Sequence, residues 1–112
     1  MYYLLQSNQG NHTGLNRKWI LIQRSESLET LREKLRSIIY NSSDNHSVDE
    51  QGNVTDDSGN VRYETGSDSA EYDLIYYYIF SEQEAEKFQY DSGHYRGVYE
   101  LIENSSKKNL LL

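Results

Sequence analysis

A chain of 112 residues with a net charge of −7 and neither cysteine nor proline has room for one domain with a modest core, and it can form no disulfide and no thiolate metal site. Its charge is split by region: residues 1–40 hold six Lys/Arg and three Asp/Glu, residues 41–103 hold three against fifteen, and Lys107 and Lys108 follow near the end. A field this lopsided favours cationic partners and opposes direct docking on nucleic acid or anionic lipid.

The chain begins MYYLLQSNQG, with no basic leader ahead of an apolar run. Its longest apolar block, Leu74 to Phe80, is far short of a membrane span. With cysteine absent, the expected location is a reducing cytoplasm. Tyr2 to Gln6 reads as a short strand, and Gln9-Gly10-Asn11 and Thr13-Gly14 are turn signals. Lys18 to Arg24 reads as a second strand, with Ile20 and Ile22 on one face and Trp19 and Leu21 on the other. Apolar residues on both faces point to an interior strand. The two runs should form an antiparallel hairpin.

Ser25 and Ser27 are candidate helix caps, because a Ser hydroxyl accepts from a free amide in the first turn. Leu28, Leu31, Leu35 and Ile38 then make one stripe at helical spacing, with Glu29 and Glu33 early and Lys34 and Arg36 later, which suits the helix dipole. A helix is expected over 27–40.

Residues 41–72 are polar and acidic and contain a seven-residue echo, Asp49-Glu50-Gln51-Gly52-Asn53-Val54-Thr55 followed by Asp56-Asp57-Ser58-Gly59-Asn60-Val61-Arg62. Gly-Asn supplies the positive φ that tight turns need, so this stretch reads as a projecting β-hairpin, with a mobile insertion as the alternative. Val54 and Val61, with Tyr63, should pair across the second turn. Asp73 to Phe80 is the strongest strand pattern. Ser81 and Glu84 form a capping box for a short helix to about Gln89 that buries Ala85 and Phe88. Residues 90–97 read as a loop, Val98 to Glu103 as a last strand by alternation, and the remainder as a frayed tail.

The expected fold is α+β. It comprises a small mixed or antiparallel sheet of about four strands, two helices on one face, and an acidic β-hairpin insertion. A single domain spans 1–104, with 41–72 as the insertion and 105–112 as a flexible tail. Eleven of the fourteen aromatic residues are tyrosines. Tyrosine joins an apolar ring to a polar tip, so these residues serve either the core or a binding surface.

Catalytic motifs are scarce. His12, His46 and His94 all fall in predicted loops without a metal-ligand spacing. Asp56, Asp57, Ser58 and Asn60 are oxygen donors, but Gly52 and Gly59 do not fall in the register of a calcium loop, and turn chemistry explains their composition. His94-Tyr95-Arg96, between Gly93 and Gly97, is the best acid/base or phosphate cluster and supports an alternative as a small enzyme or ligand-binding protein. Arg17, Lys18, Arg24, Arg32, Lys34 and Arg36, with Trp19 among them, form a basic third, but the acidic remainder would repel phosphate.

The carboxylates can instead be the functional groups. An enzyme that handles nucleic acid presents Lys and Arg to phosphates, and carboxylates at similar spacing can occupy that groove and steer association. The competing explanation is plain solvation. On the mimicry reading, Asp49, Glu50, Asp56, Asp57, Glu64 and Asp68 contact the partner together with Tyr63, Tyr90, Tyr95 and Arg96. The partner is a protein with a basic surface, such as a nucleic-acid-binding enzyme, and no catalytic residue, cofactor, metal, membrane or direct nucleic-acid contact is expected.

In general character, though not in any motif, the chain resembles the small, acidic, cysteine-free proteins with which bacteriophages and mobile elements block host defence nucleases, the anti-CRISPR proteins among them. Small immunity proteins and antitoxins look similar. The resemblance implies a non-enzymatic inhibitor, or else a protein that neutralises a basic toxin.

Overall fold

The structure, a computed structural model, describes residues 1–8, 18–92 and 95–110. A four-stranded antiparallel sheet carries the fold. β1 (Tyr2–Asn8) pairs with β2 (Trp19–Ser25) on one side and with a later strand, Ile75–Ser81, on the other. The helix α1 (Leu28–Asn41) follows β2. Ser27 is its cap, accepting from the Thr30 amide at 3.3 Å, while Ser25 accepts from the Ser27 amide at 3.0 Å. Leu31, Leu35 and Ile39 are its buried stripe.

The acidic stretch is an ordered second sheet of three short antiparallel strands: β3 (Ser47–Val48), β4 (Val54–Thr55) and β5 (Val61–Tyr63). The pairing of Val54 and Thr55 with Tyr63 and Val61 follows the expectation, with a register shift between Val54 and Thr55. β6 (Ser69–Tyr72) then joins the main sheet beside β7 (Ile75–Ser81), giving the order β2-β1-β7-β6. The expected insertion 41–72 therefore contributes both a three-stranded meander and an edge strand of the main sheet. The expected strand 73–80 begins two residues later, because Asp73 and Leu74 turn the β6–β7 hairpin with φ of 53° and 67°. Positive φ at both central residues is the signature of a type I′ turn, which Asn-Gly accommodates best. In a residue with a Cβ this conformation costs about 1–2 kcal/mol.

The Ser81 hydroxyl caps α2 (Glu82–Glu86), accepting from the Glu84 amide at 3.1 Å and donating to Glu84 Oε1 at 3.2 Å. Hydrogen-bonded turns prolong this segment to Asp91. α3 (Arg96–Leu110) ends the described chain.

Both faces of the main sheet are covered. Leu4 and Ile79 pack with α1, Val54, Tyr63 and Tyr77 on one face; Tyr3, Leu5 and Phe80 pack with Ala85, Val98 and Ile102 on the other. The period of a strand sends alternate side chains of β1 and β7 to opposite cores. On the second face Phe88 stacks on Tyr95, with ring centroids 4.6 Å apart. Buried Tyr3 keeps its hydroxyl satisfied by donating to Glu82 Oε1 at 2.9 Å.

The α+β class and the four-stranded antiparallel sheet match the expectation, and three details are corrected. The helices are not on one face: α1 covers one side, α2 and α3 the other. β2 is an edge strand rather than an interior one. Its residues are apolar on both faces because helices cover both faces of the sheet, and that pattern says nothing about lateral neighbours. Val98 to Glu103 is helical, and the helix continues through the expected tail to Leu110. Val98 and Ile102 are buried four residues apart, while Glu100 is exposed and paired with Arg96 at 2.9 Å, as a helix requires. The turn signals at 9–14, with His12 among them, and His94 lie outside the described residues.

Candidate partner-binding surface

The seven-residue echo is a repeated turn. In the first copy the Asp49 carboxylate accepts from the amides of Gln51 at 3.0 Å and Asn53 at 2.9 Å, and the Gly52 amide donates to the Asp49 carbonyl at 3.0 Å. In the second copy Asp56 accepts from Ser58 and Asn60, both at 2.9 Å, and the Gly59 amide donates to the Asp56 carbonyl at 3.1 Å. Gly52 and Gly59 adopt φ of 87° and 84°, which a Cβ would strain. The spacing of Asp, Gly and Asn in the sequence thus specifies local backbone hydrogen bonding. Asp56 is held below the usual carboxylate range chiefly by the Asn60 amide, against some desolvation and with help from Ser58 and Arg62.

Successive turns of a meander lie at opposite ends, so the two loops diverge. The first is fixed by Thr65, whose amide donates to Asn53 Oδ1 at 2.8 Å and whose hydroxyl donates to the Gln51 carbonyl at 2.7 Å. The second faces an open groove of about 380 Å3, lined by Asp56, Asp57, Asp73, Arg62, Tyr72 and His46 together with Ser43 and Asn45. His46, 8% exposed, donates from Nδ1 to the Ile39 carbonyl at 2.8 Å, since a carbonyl can only accept. Its ring meets Tyr72 edge-on at 5.6 Å, and the Arg62 guanidinium lies over the Tyr72 ring at 5.5 Å. Three carboxylates against one guanidinium leave the groove negative.

The expected contact residues separate into two groups. Asp49 and Asp56 are occupied in their own turns. Asp68 pairs with Arg32 at 2.7 Å, and Arg32 also holds Glu29, so its guanidinium is stabilised in the charged form by both. Tyr63, only 3% exposed, belongs to the core, and its hydroxyl donates to the Ser67 carbonyl at 2.8 Å. Burial pushes it up to about 12. Tyr95 packs against Phe88, Phe80 and Trp19, and Arg96 is paired along α3 with Glu100. Those six have structural work. Glu50, Asp57, Glu64 and Tyr90 remain exposed, Tyr90 at 85%.

The structure thus brings together Asp56 and Asp57 but places Asp49 and Glu50 at the other end of the small sheet, and Tyr90 follows α2 on the other side of the main sheet. Of the expected His94-Tyr95-Arg96 cluster, His94 lies outside the described residues, Tyr95 packs against the second core and Arg96 pairs with Glu100. Leu74 and Arg62 are not among the expected contacts, and Asp73, one of the candidate carboxylates, falls in a turn rather than at the expected start of a strand. Two residues between β-forming runs was the available signal, hidden because Leu74 continues the apolar run. Among the described residues no helix is long and apolar enough to cross a membrane, and no group of three His, Asp or Glu could hold a metal ion.

No protein family matches the chain, and no curated protein or solved structure resembles it significantly.

Proposed function

We propose that this protein is a non-enzymatic binding inhibitor that presents a negative, rigidly held surface to the basic groove of a nucleic-acid-processing enzyme. Residues 41–73 carry nine Asp/Glu against the single Arg62. What supports the reading most is that this stretch is an ordered sheet packed on α1 through Val54 and Tyr63, while Glu50, Asp57 and Glu64 stay exposed and form no ion pair among the described residues. Plain solvation requires no fixed scaffold for its charges; imitation of phosphates does. Such a field also raises the rate of encounter with a cationic partner and makes the affinity fall with salt. A host defence enzyme and a basic toxin would be met by the same chemistry, so the identity of the partner separates inhibitor from immunity protein.

The test compares two baits in bacterial lysate at low salt: wild type and the triple variant E50K/D57K/E64K. Asp56 is left intact because its carboxylate closes a turn. Wild type should retain nucleic-acid-binding proteins with basic surfaces, identified by mass spectrometry, and the variant should lose them while keeping its circular dichroism spectrum. The same proteins captured on both baits would contradict the proposal.

A further inference from the structure

Leu74 stands against the local rules of its position. It is the second central residue of the β6–β7 turn, with φ of 67°, a conformation suited to glycine. Burial does not compensate, because Leu74 is 56% exposed. A large apolar side chain in a strained, exposed position weakens the isolated fold relative to glycine, and such outliers motivate a search for function. The neighbourhood is informative. Asp73, the other central residue, has φ of 53° and lines the negative groove with Asp57. Leu74 therefore sits at a tight, two-residue apex next to Asp73, which like Asp57 forms no ion pair among the described residues. The outer edge of β2, the other exposed candidate, is bulged opposite Leu4/Leu5 and carries Lys18 and Arg24 at its ends, features that oppose strand addition.

We infer that Leu74 is the apolar anchor of the partner-binding surface, entering a partner pocket that is apolar at its floor and rimmed by Lys or Arg, with Asp57 and Asp73 meeting the rim. This deepens the proposed function and rests on it. Carboxylates supply steering, and a central apolar side chain supplies the desolvated contact that concentrates binding energy.

The probe is a molecule with that chemistry: β-cyclodextrin bearing amines around one rim, compared with neutral β-cyclodextrin. Both are titrated into the full chain while backbone amide resonances are followed. The aminated ring should shift residues 57 and 73–75, bind several-fold more tightly than the neutral ring, and lose at least about fivefold in affinity with L74G. L74G should also melt about 4 °C higher than wild type, since it relieves the turn. The double variant D73N/L74G, with the preferred turn pair, provides a second check of that rise. Shifts confined to Tyr90 and other sites, affinity unchanged in L74G, or no rise in melting temperature in either variant would overturn the inference. Equal binding of the two rings at Leu74 would leave the anchor standing and count against the electrostatic surface itself.

Discussion

Asp49 and Asp57 are both acidic loop residues, yet the fold uses them differently. Asp49 accepts two backbone amides, whereas Asp57 is exposed on the groove. D49A should cost about 1 kcal/mol in urea unfolding because it leaves those amides without their acceptor. D57A should stay within about 0.5 kcal/mol of wild type. The titrating groups give stability a shape in pH. Asp56 is lowered in the folded state, so its contribution is present above the ordinary carboxylate pKa of 3.8 and fades as acid drives the pH down through its folded value. Tyr63 is raised from 10.0 to about 12, so its contribution is complete below pH 10 and is lost between there and about 12, as the unfolded phenol ionises first. Melting curves across alkaline pH should decline over that window, and Y63F should flatten the decline. The identity of the turn residues was legible in the sequence; that the Asp49 and Asp56 carboxylates accept within their own turns was not, nor that Asp68 and Arg96 sit in ion pairs and Tyr63 and Tyr95 in packed clusters.

At the scale of elements, what could be read depended on how many periods a pattern spanned. The stripe from Leu28 to Ile38 covers three turns, and α1 appears within a residue of its expected bounds. The six residues from Val98 to Glu103 fit alternation and helical spacing alike. Here Trp19, Leu21 and Phe80 decide, because they offer an apolar face on which a helix can lay Val98 and Ile102. I102A should therefore cost about 2–4 kcal/mol and L35A about 2–5 kcal/mol, measured by urea denaturation. Loss of helical circular dichroism in an I102A protein that keeps its β signal would locate the damage in α3. The edge position of β2 could not be read from its residues, since burial on both faces and flanking by two strands leave the same apolar pattern.

The whole molecule is a double-sided sheet with a small acidic sheet mounted on its α1 side, through Val54 and Tyr63, beside β6. Composition revealed the imbalance of charge without revealing its spatial division, which follows from two turns that point the echoed loops to opposite ends. E50K/D57K/E64K adds six units of positive charge to a −7 chain, which nearly neutralises it. Its thermal stability should equal or exceed that of wild type at low salt as self-repulsion falls. The most direct measurement takes a nucleic-acid-binding protein retained by the wild-type bait and asks whether duplex DNA and this chain can occupy it together. The account predicts mutual exclusion, with added DNA displacing the chain in proportion to its own affinity. A stable ternary complex, with all three components in one species at low salt, would contradict it.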